Sequence, residues 1–230
     1  MPLAAGAVQS AEPIAVHGVP IAGPSETRLL QPAQFEGDPL LLMLPDSLNL
    51  IRGQQKLEAN RDALEHNPET PVAGNPEGDV TVVEFFDYRC PYCRRFAERL
   101  ETMFEADPGV RFVFKDWPMF GGASVTAARA ALAAARQGQY LAMHEALMAT
   151  RLLTEDVIVM KAEELGLDTK RLQADMASQD IDRQLAATAL QAEELGLRGT
   201  PAFVIGRRVL PGLPTDEALA AAIAAVRADR

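Results

Sequence analysis

Positions 80–86, VTVVEFF, are almost continuously apolar and rich in β-branched and aromatic residues. That pattern predicts a strand buried in the middle of a sheet. VRFVFK (110–115) predicts a second strand, with Val110, Phe112 and Phe114 sharing one face. Between them Phe96, Leu100, Met103 and Phe104 recur at helical spacing, so one helix is expected there, stopped by Asp107-Pro108-Gly109. A long helical region follows. It opens with the Ala-rich stretch 123–136 and continues through 140–150. Thr154 is placed to cap a third helix, with Glu155 and Asp156 in its first turn. AEELGL occurs at 162–167 and again at 192–197, which predicts the same glycine-based helix stop used twice. AFVI (202–205), a turn at Gly206-Arg207 and RVL (208–210) predict a hairpin. Thr215 caps a closing helix whose buried stripe is Leu219, Ala222, Ile223 and Val226.

The predicted order is strand, helix, strand, helices, strand, strand, helix. It combines a βαβ unit with a terminal ββα unit, so the fold class is α/β. The N-terminal part is different. Residues 1–27 are rich in Ala, Gly and Pro without period, and are expected to be a disordered tail or the remnant of a secretory signal lacking its basic start. Residues 28–67 form an expected helical arm, in two pieces broken at Pro45, with a thin stripe of Leu48, Ile51, Leu57 and Leu64. So narrow a stripe needs a partner surface, either the chain's own domain or a second copy of the chain. Residues 68–78 are rich in Pro and Gly and are expected to link the arm to a domain over 79–230, with a helical insertion at about 122–196.

The chain of 230 residues is 48% hydrophobic and carries a formal net charge of −10. A nucleic-acid binder needs a basic face, so that class is excluded. No run approaches the ~18 apolar residues of a membrane span.

The two cysteines, Cys90 and Cys93, are the sharpest chemical signal. A structural disulfide across so short a loop would add little stability. A zinc site wants about four ligands, and His17, His66 and His144 are not paired at ligand distance. Cu(I), held by two soft thiolates, remains open, as does a binding module that uses neither thiol. A dithiol redox couple fits the local physics best. Pro91 suits the first position of a helix, which puts Cys90 at a helix N-terminus where N–H groups stabilise a thiolate. Arg94 and Arg95 add positive charge, and Cys93 lies one turn on. Glu84 interrupts the apolar strand; either it faces solvent at a sheet edge, or it is buried with a raised pKa and relays a proton to Cys93. The second reading is favoured. His144 is read as a structural or surface histidine.

EFFDYRCPYC, followed about a hundred residues later by GTPAFVIG, resembles the DsbA-like branch of the thioredoxin superfamily, and NPETPVAGNPEGDVTVVEFFDYRCPYC is similar to the suppressor of copper sensitivity C group. The resemblance covers roughly residues 38–228. It implies a thioredoxin fold with helices inserted after the second strand, Cys90 as nucleophile, Cys93 as resolving thiol, and Glu84 as the buried acid. Pro201 would be the cis-proline facing the disulfide, preceded by Thr200, and Pro91, Tyr92, Thr200 and Pro201 would border the substrate. Strongly oxidising members typically carry His at the Tyr92 position and Val at the Thr200 position, so CPYC with Thr-Pro is more similar to isomerases. The resemblance also implies unfolded or misoxidised protein substrates, a membrane redox partner of the DsbB or DsbD type, a periplasmic setting and a homo-oligomer formed through the arm. No cofactor and no resident metal are expected, although the copper-sensitivity resemblance keeps Cu(I) on the Cys90 and Cys93 thiolates as the alternative.

Overall fold

A computed structural model describes residues 45–230, with side chains described from residue 55. The expected tail at 1–27 and the arm residues 28–44 lie outside the described residues, as do the side chains of Leu48 and Ile51. The described elements run α1 (Pro45–Glu65), β1 (Val72–Gly74), β2 (Val80–Phe86), α2 (Pro91–Ala97), α3 (Leu100–Ala106), β3 (Val110–Asp116), α4 (Gly122–Ala135), α5 (Tyr140–Ala149), α6 (Glu155–Glu164), α7 (Thr169–Met176), α8 (Gln179–Glu194), β4 (Ala202–Ile205), β5 (Arg208–Pro211) and α9 (Asp216–Ala228).

The five strands form one sheet in the order β1-β3-β2-β4-β5. β2 and β3 are parallel, with Glu84 opposite Phe114 and Phe86 opposite Asp116. β4 runs antiparallel to β2 and pairs Glu84 with Phe203. β2 is therefore central, as its apolar run requires. Alternate residues divide between two cores. Val80, Val82, Phe86, Phe112, Phe114, Phe203 and Ile205 pack with residues of α2, α4, α5 and α9. Val83, Phe85, Val113 and Val204 face the other way, onto Leu57, Leu64 and Ala192 of α1 and α8. β3 is thus buried on both faces, because α1 and α8 cover the face that VRFVFK leaves unassigned.

Three expectations change. The segment 68–78 is not only a linker: Val72–Gly74 is a strand that pairs antiparallel with β3 at the sheet edge. Three residues beside Pro71 carry too short a pattern to read as a strand, and an edge is where a neighbouring proline is tolerated. The single helix expected after the cysteines is two, α2 and α3. Arg99 leaves the helical track at φ −106° and bonds from its N–H to Phe96 carbonyl at 2.9 Å. Its guanidinium lies over the Phe96 ring and pairs with Asp216 of α9, so a tertiary contact bends the chain there. The third change concerns the arm. Of the expected stripe, Leu57 and Leu64 are buried against the chain's own sheet. The C-terminal end of α1 is tied down by β3: Arg111 donates to Glu65 carbonyl at 2.6 Å and Lys115 Nζ to Ala63 carbonyl at 3.1 Å. These cations meet the negative end of the helix.

The repeated AEELGL is the same stop twice. Leu167 and Leu197 N–H groups bond Ala162 and Ala192 carbonyls at 2.9 Å, and Gly166 and Gly196 bond Glu163 and Glu193. Both glycines have positive φ, 72° and 70°, as this motif demands. Thr154 and Thr215 cap α6 and α9 by accepting from Val157 and Ala218 N–H groups.

Burial of Leu64 gives the docking of α1 a measurable weight. Leu64→Ala is expected to destabilise the protein by about 2–5 kcal/mol in urea unfolding, the cost of a buried cavity. A loss below about 0.5 kcal/mol, the range of a surface position, would mean that α1 does not pack on the sheet.

Candidate active site

β2 ends at Phe86, and the next four residues turn the chain into α2. Asp87 builds this turn. Its carboxylate accepts from the N–H groups of Arg89 (2.6 Å), Met119 (2.6 Å) and Phe120 (3.0 Å) and from Ser124 Oγ (2.8 Å). One buried side chain thereby joins the loop before α2 to the loop before α4. Sequence reasoning missed Asp87. Its signal was an acid at the end of an apolar strand, where aspartate commonly bonds the backbone two residues on.

Cys90 is the N-cap of α2, in extended conformation, with Pro91 at the first helical position. Its Sγ lies 3.2 Å from the Thr200 carbonyl, to which the thiol donates. The Thr200–Pro201 peptide bond is cis, and Pro201 is buried directly before β4. Sheet pairing explains this meeting across 110 residues: Ala202 and Phe203 of β4 sit opposite Phe85 and Glu84 of β2.

The two thiols are free and chemically unequal. Cys90 is held down at about 5, chiefly by hydrogen bonding from the Cys93 thiol, with help from the backbone N–H groups of Cys93 and Tyr92 against the opposing effect of burial. Cys93 is pushed far up by burial, by its bond to Cys90 and by the Glu84 charge. Glu84 is 1% exposed and its Oε1 has no partner. Burial raises its pKa well above the usual carboxylate range, and the nearby Cys90 and Asp116 charges push the same way. The solvent-facing reading of Glu84 is therefore ruled out.

Of the remaining expected site residues, Tyr92 is 53% exposed, with the Arg95 guanidinium 5.4 Å from its ring centroid. Pro91 is exposed beside it. Met119 and Phe120, held by Asp87, are also exposed. His144 is buried, not superficial. Its Nδ1 is 3.2 Å from Tyr88 Oη, and burial lowers its pKa to about 3, so the imidazole is neutral. It stacks with Tyr140, whose hydroxyl donates to Asp116 Oδ2 at 2.8 Å. Tyr88, Asp116 and Tyr140 also escaped the sequence reading, since tyrosines in an apolar stretch read as packing.

A thiolate-prone cysteine capping a helix, a buried partner thiol one turn on and an apposed Thr-Pro on a mixed five-stranded sheet define a thioredoxin-fold dithiol protein. The thioredoxin family model matches residues 66–225, and the chain belongs to that family, as a DsbA-like thioredoxin-fold protein whose CxxC pair is Cys90–Cys93. Among solved structures, it is 46% identical to a thioredoxin-like oxidoreductase from Silicibacter pomeroyi, with a TM-score of 0.71 over 74% of this chain and 98% of that one. It is 30% identical to the catalytic domain of Proteus mirabilis ScsC, with a TM-score of 0.69 over 76% and 98% of the two chains. A periplasmic thioredoxin-like protein from Salmonella enterica is 32% identical, with a TM-score of 0.63 over 74% and 97%. The Na(+)/H(+) antiporter NhaA 3 of Salinispora tropica is 33% identical over 155 residues, which are 66% of this chain and 24% of that protein. The chain thus spans about a quarter of the length of the antiporters it matches. Among the described residues no helix is long and apolar enough to cross a membrane.

The asymmetry of the thiols predicts their reactivity. In reduced protein, iodoacetamide is expected to label Cys90 with an inflection near pH 5 and to leave Cys93 unmodified across the neutral range. Faster labelling of Cys93 would reverse the assignment. The sign of the stability linkage follows from the depressed pKa. Cys90 stabilises the reduced fold fully above its unfolded value of 9.0, and this contribution is lost as pH falls towards about 5. The difference in unfolding free energy between reduced wild type and Cys90→Ser should therefore grow from pH 5 to pH 9.

Proposed function

We propose that this chain exchanges disulfides with protein substrates in an extracytoplasmic compartment, with Cys90 as the attacking and attacked sulfur. The observation that carries the proposal is the unequal pair: a Cys90 thiolate stabilised by hydrogen bonds beside a buried, protonated Cys93. In the oxidising direction a substrate thiolate attacks Cys90 Sγ of the Cys90–Cys93 disulfide. The S–S bond breaks and Cys93 leaves with the electron pair. A second substrate thiolate then attacks the substrate sulfur of the mixed disulfide and expels the Cys90 thiolate. The substrate loses two electrons and the protein dithiol gains them; the reverse sequence reduces or reshuffles a substrate disulfide. Glu84 gives Cys93 its proton when the ring opens and takes it back when the ring closes. It is suited to this because burial raises its proton affinity well above that of an ordinary carboxylate.

A substrate segment would lie extended along the Thr200–Pro201 edge, using backbone groups, with Pro91 and Tyr92 against its side chains. Unfolded or misoxidised proteins are the proposed substrates, and a membrane partner of the DsbB or DsbD type would restore the oxidation state. The periplasmic setting of the Salmonella relative supports the proposed location. Net oxidation is favoured over isomerisation here, because Leu57 and Leu64 of the arm pack on the chain's own sheet, which leaves less of its apolar stripe for a second copy. A monomer in light scattering at tens of micromolar, with insulin reduction but without refolding of a scrambled disulfide substrate, is the expected result; a stable oligomer that unscrambles such a substrate would reverse this choice.

Cys93→Ser is expected to accumulate a mixed disulfide on Cys90 when oxidised glutathione is added, detected by mass spectrometry. Cys90→Ser should form none. Glu84→Gln should keep the fold and slow closure of the Cys90–Cys93 ring about 10²-fold, the usual scale for loss of a general acid–base. Unchanged closure between pH 5 and pH 9 would remove Glu84 from the mechanism.

A further inference from the structure

We propose that Asp116 is a positioning residue for the exchange reaction, a second buried acid that sets where the Glu84 proton resides. The inference rests on the exchange reading above and extends it to residues that the reading leaves unused.

The placement is dictated by the sheet. β2 and β3 are parallel neighbours in which Glu84 faces Phe114 and Phe86 faces Asp116. Side chains two residues apart on a strand share a face. Glu84 and Asp116 are therefore diagonal neighbours on the face that carries Cys93 and Phe96. Both carboxyls are almost wholly buried, at 1% and 3% exposure. Each has one oxygen without a partner, Glu84 Oε1 and Asp116 Oδ1. Asp116 Oδ2 takes the Tyr140 hydroxyl at 2.8 Å.

The groups facing this pair come from each element packed against it. They are Asp87 and Tyr88 after β2, Cys90 and Cys93 at α2, Arg99 after α2, and Tyr140 and His144 on α5. Arg99 is the cation among them, and it is engaged with Asp216 and the Pro214 carbonyl. Lys115, the neighbour of Asp116, points to the opposite face and bonds Ala63 and Thr70. Two carboxyls in an apolar face with so little positive charge do not both ionise readily, and they titrate as a pair. Burial raises Asp116 to about 7, while the Tyr140 hydroxyl favours its ionised form. The Asp116 charge in turn favours the protonated form of Glu84. Asp116 thus keeps a proton on Glu84 at neutral pH, available to Cys93 when the disulfide opens.

Ring closure tests this. Reduced protein is mixed with oxidised glutathione, and conversion of the Cys90–glutathione adduct to the Cys90–Cys93 disulfide is followed against pH by acid quench and mass spectrometry. Closure requires Cys93 to lose its proton to the Glu84 carboxylate, so its rate rises through the Glu84 titration. Asp116→Asn keeps an oxygen for Tyr140 but removes the like charge. The midpoint of the rise is expected about one pH unit lower, the usual scale for one neighbouring charge. Tyr140→Phe disfavours ionised Asp116 and should move the midpoint the same way, which keeps the test alive if Asp116→Asn folds poorly. In a Glu84→Gln background, Asp116→Asn should move nothing. An unmoved midpoint in both single variants, or an equal shift in the Glu84→Gln background, overturns the inference while wild-type closure leaves the exchange reading standing. Failure of the wild type to form the adduct or close the ring would instead remove the exchange reading, and this inference with it.

Discussion

A sulfur can remain a thiolate at neutral pH only where something other than water stabilises the charge, and at Cys90 that task falls to the start of α2. The Cys93 thiol, one turn into α2, is the chief hydrogen-bonding partner of Cys90, and the backbone N–H groups of Cys93 and Tyr92 assist. Everything else in the site follows from holding that position. Asp87 fixes the turn that delivers Cys90 to the helix. β4 brings Thr200 against the sulfur. α2 in turn buries Cys93 beneath the surface, which keeps the second thiol protonated until the first has reacted.

Burying Cys93 creates a further demand. A protonated thiol buried within the main apolar cluster is shielded from the solvent that would otherwise take its proton. The central strand supplies Glu84 at that spot, at the cost of an ionisable group in an apolar core. The helical insertion then closes the same face: Tyr140 and His144 of α5 cover Phe114, and Tyr140 reaches Asp116. The insertion is therefore part of the electrostatic environment of the dithiol as well as a source of packing.

The opposite face of the sheet has a plainer role. α1 and α8 cover Val83, Phe85 and Val113, and Arg111 and Lys115 pin the end of α1. A fully apolar central strand needs both faces covered, and the N-terminal helix completes the second cover. This is why a stripe too thin to stabilise a free helix is sufficient in the folded chain.

Strong local patterns were legible in the sequence. VTVVEFF could only be a buried strand, Thr154 and Thr215 capped the helices they were read to cap, and the two AEELGL segments closed their helices alike, because each of these depends on a few adjacent residues. Cys90, Pro91 and Cys93 announced a dithiol for the same reason: helix-terminus chemistry is local. What escaped depended on distant partners. Val72–Gly74 became a strand because β3 offered an open edge, and the helix after the cysteines broke at Arg99 because α9 offered Asp216. Leu57 and Leu64 turned inward because the sheet behind them was bare. Asp87, Tyr88, Asp116, Tyr140 and His144 lie far apart in the chain and are joined only by the packing of β2, β3 and α5. Sequence alone determined which residues could do redox chemistry; tertiary structure decided their protonation, since burial and neighbouring charge exist only once the sheet and its helices have closed over them.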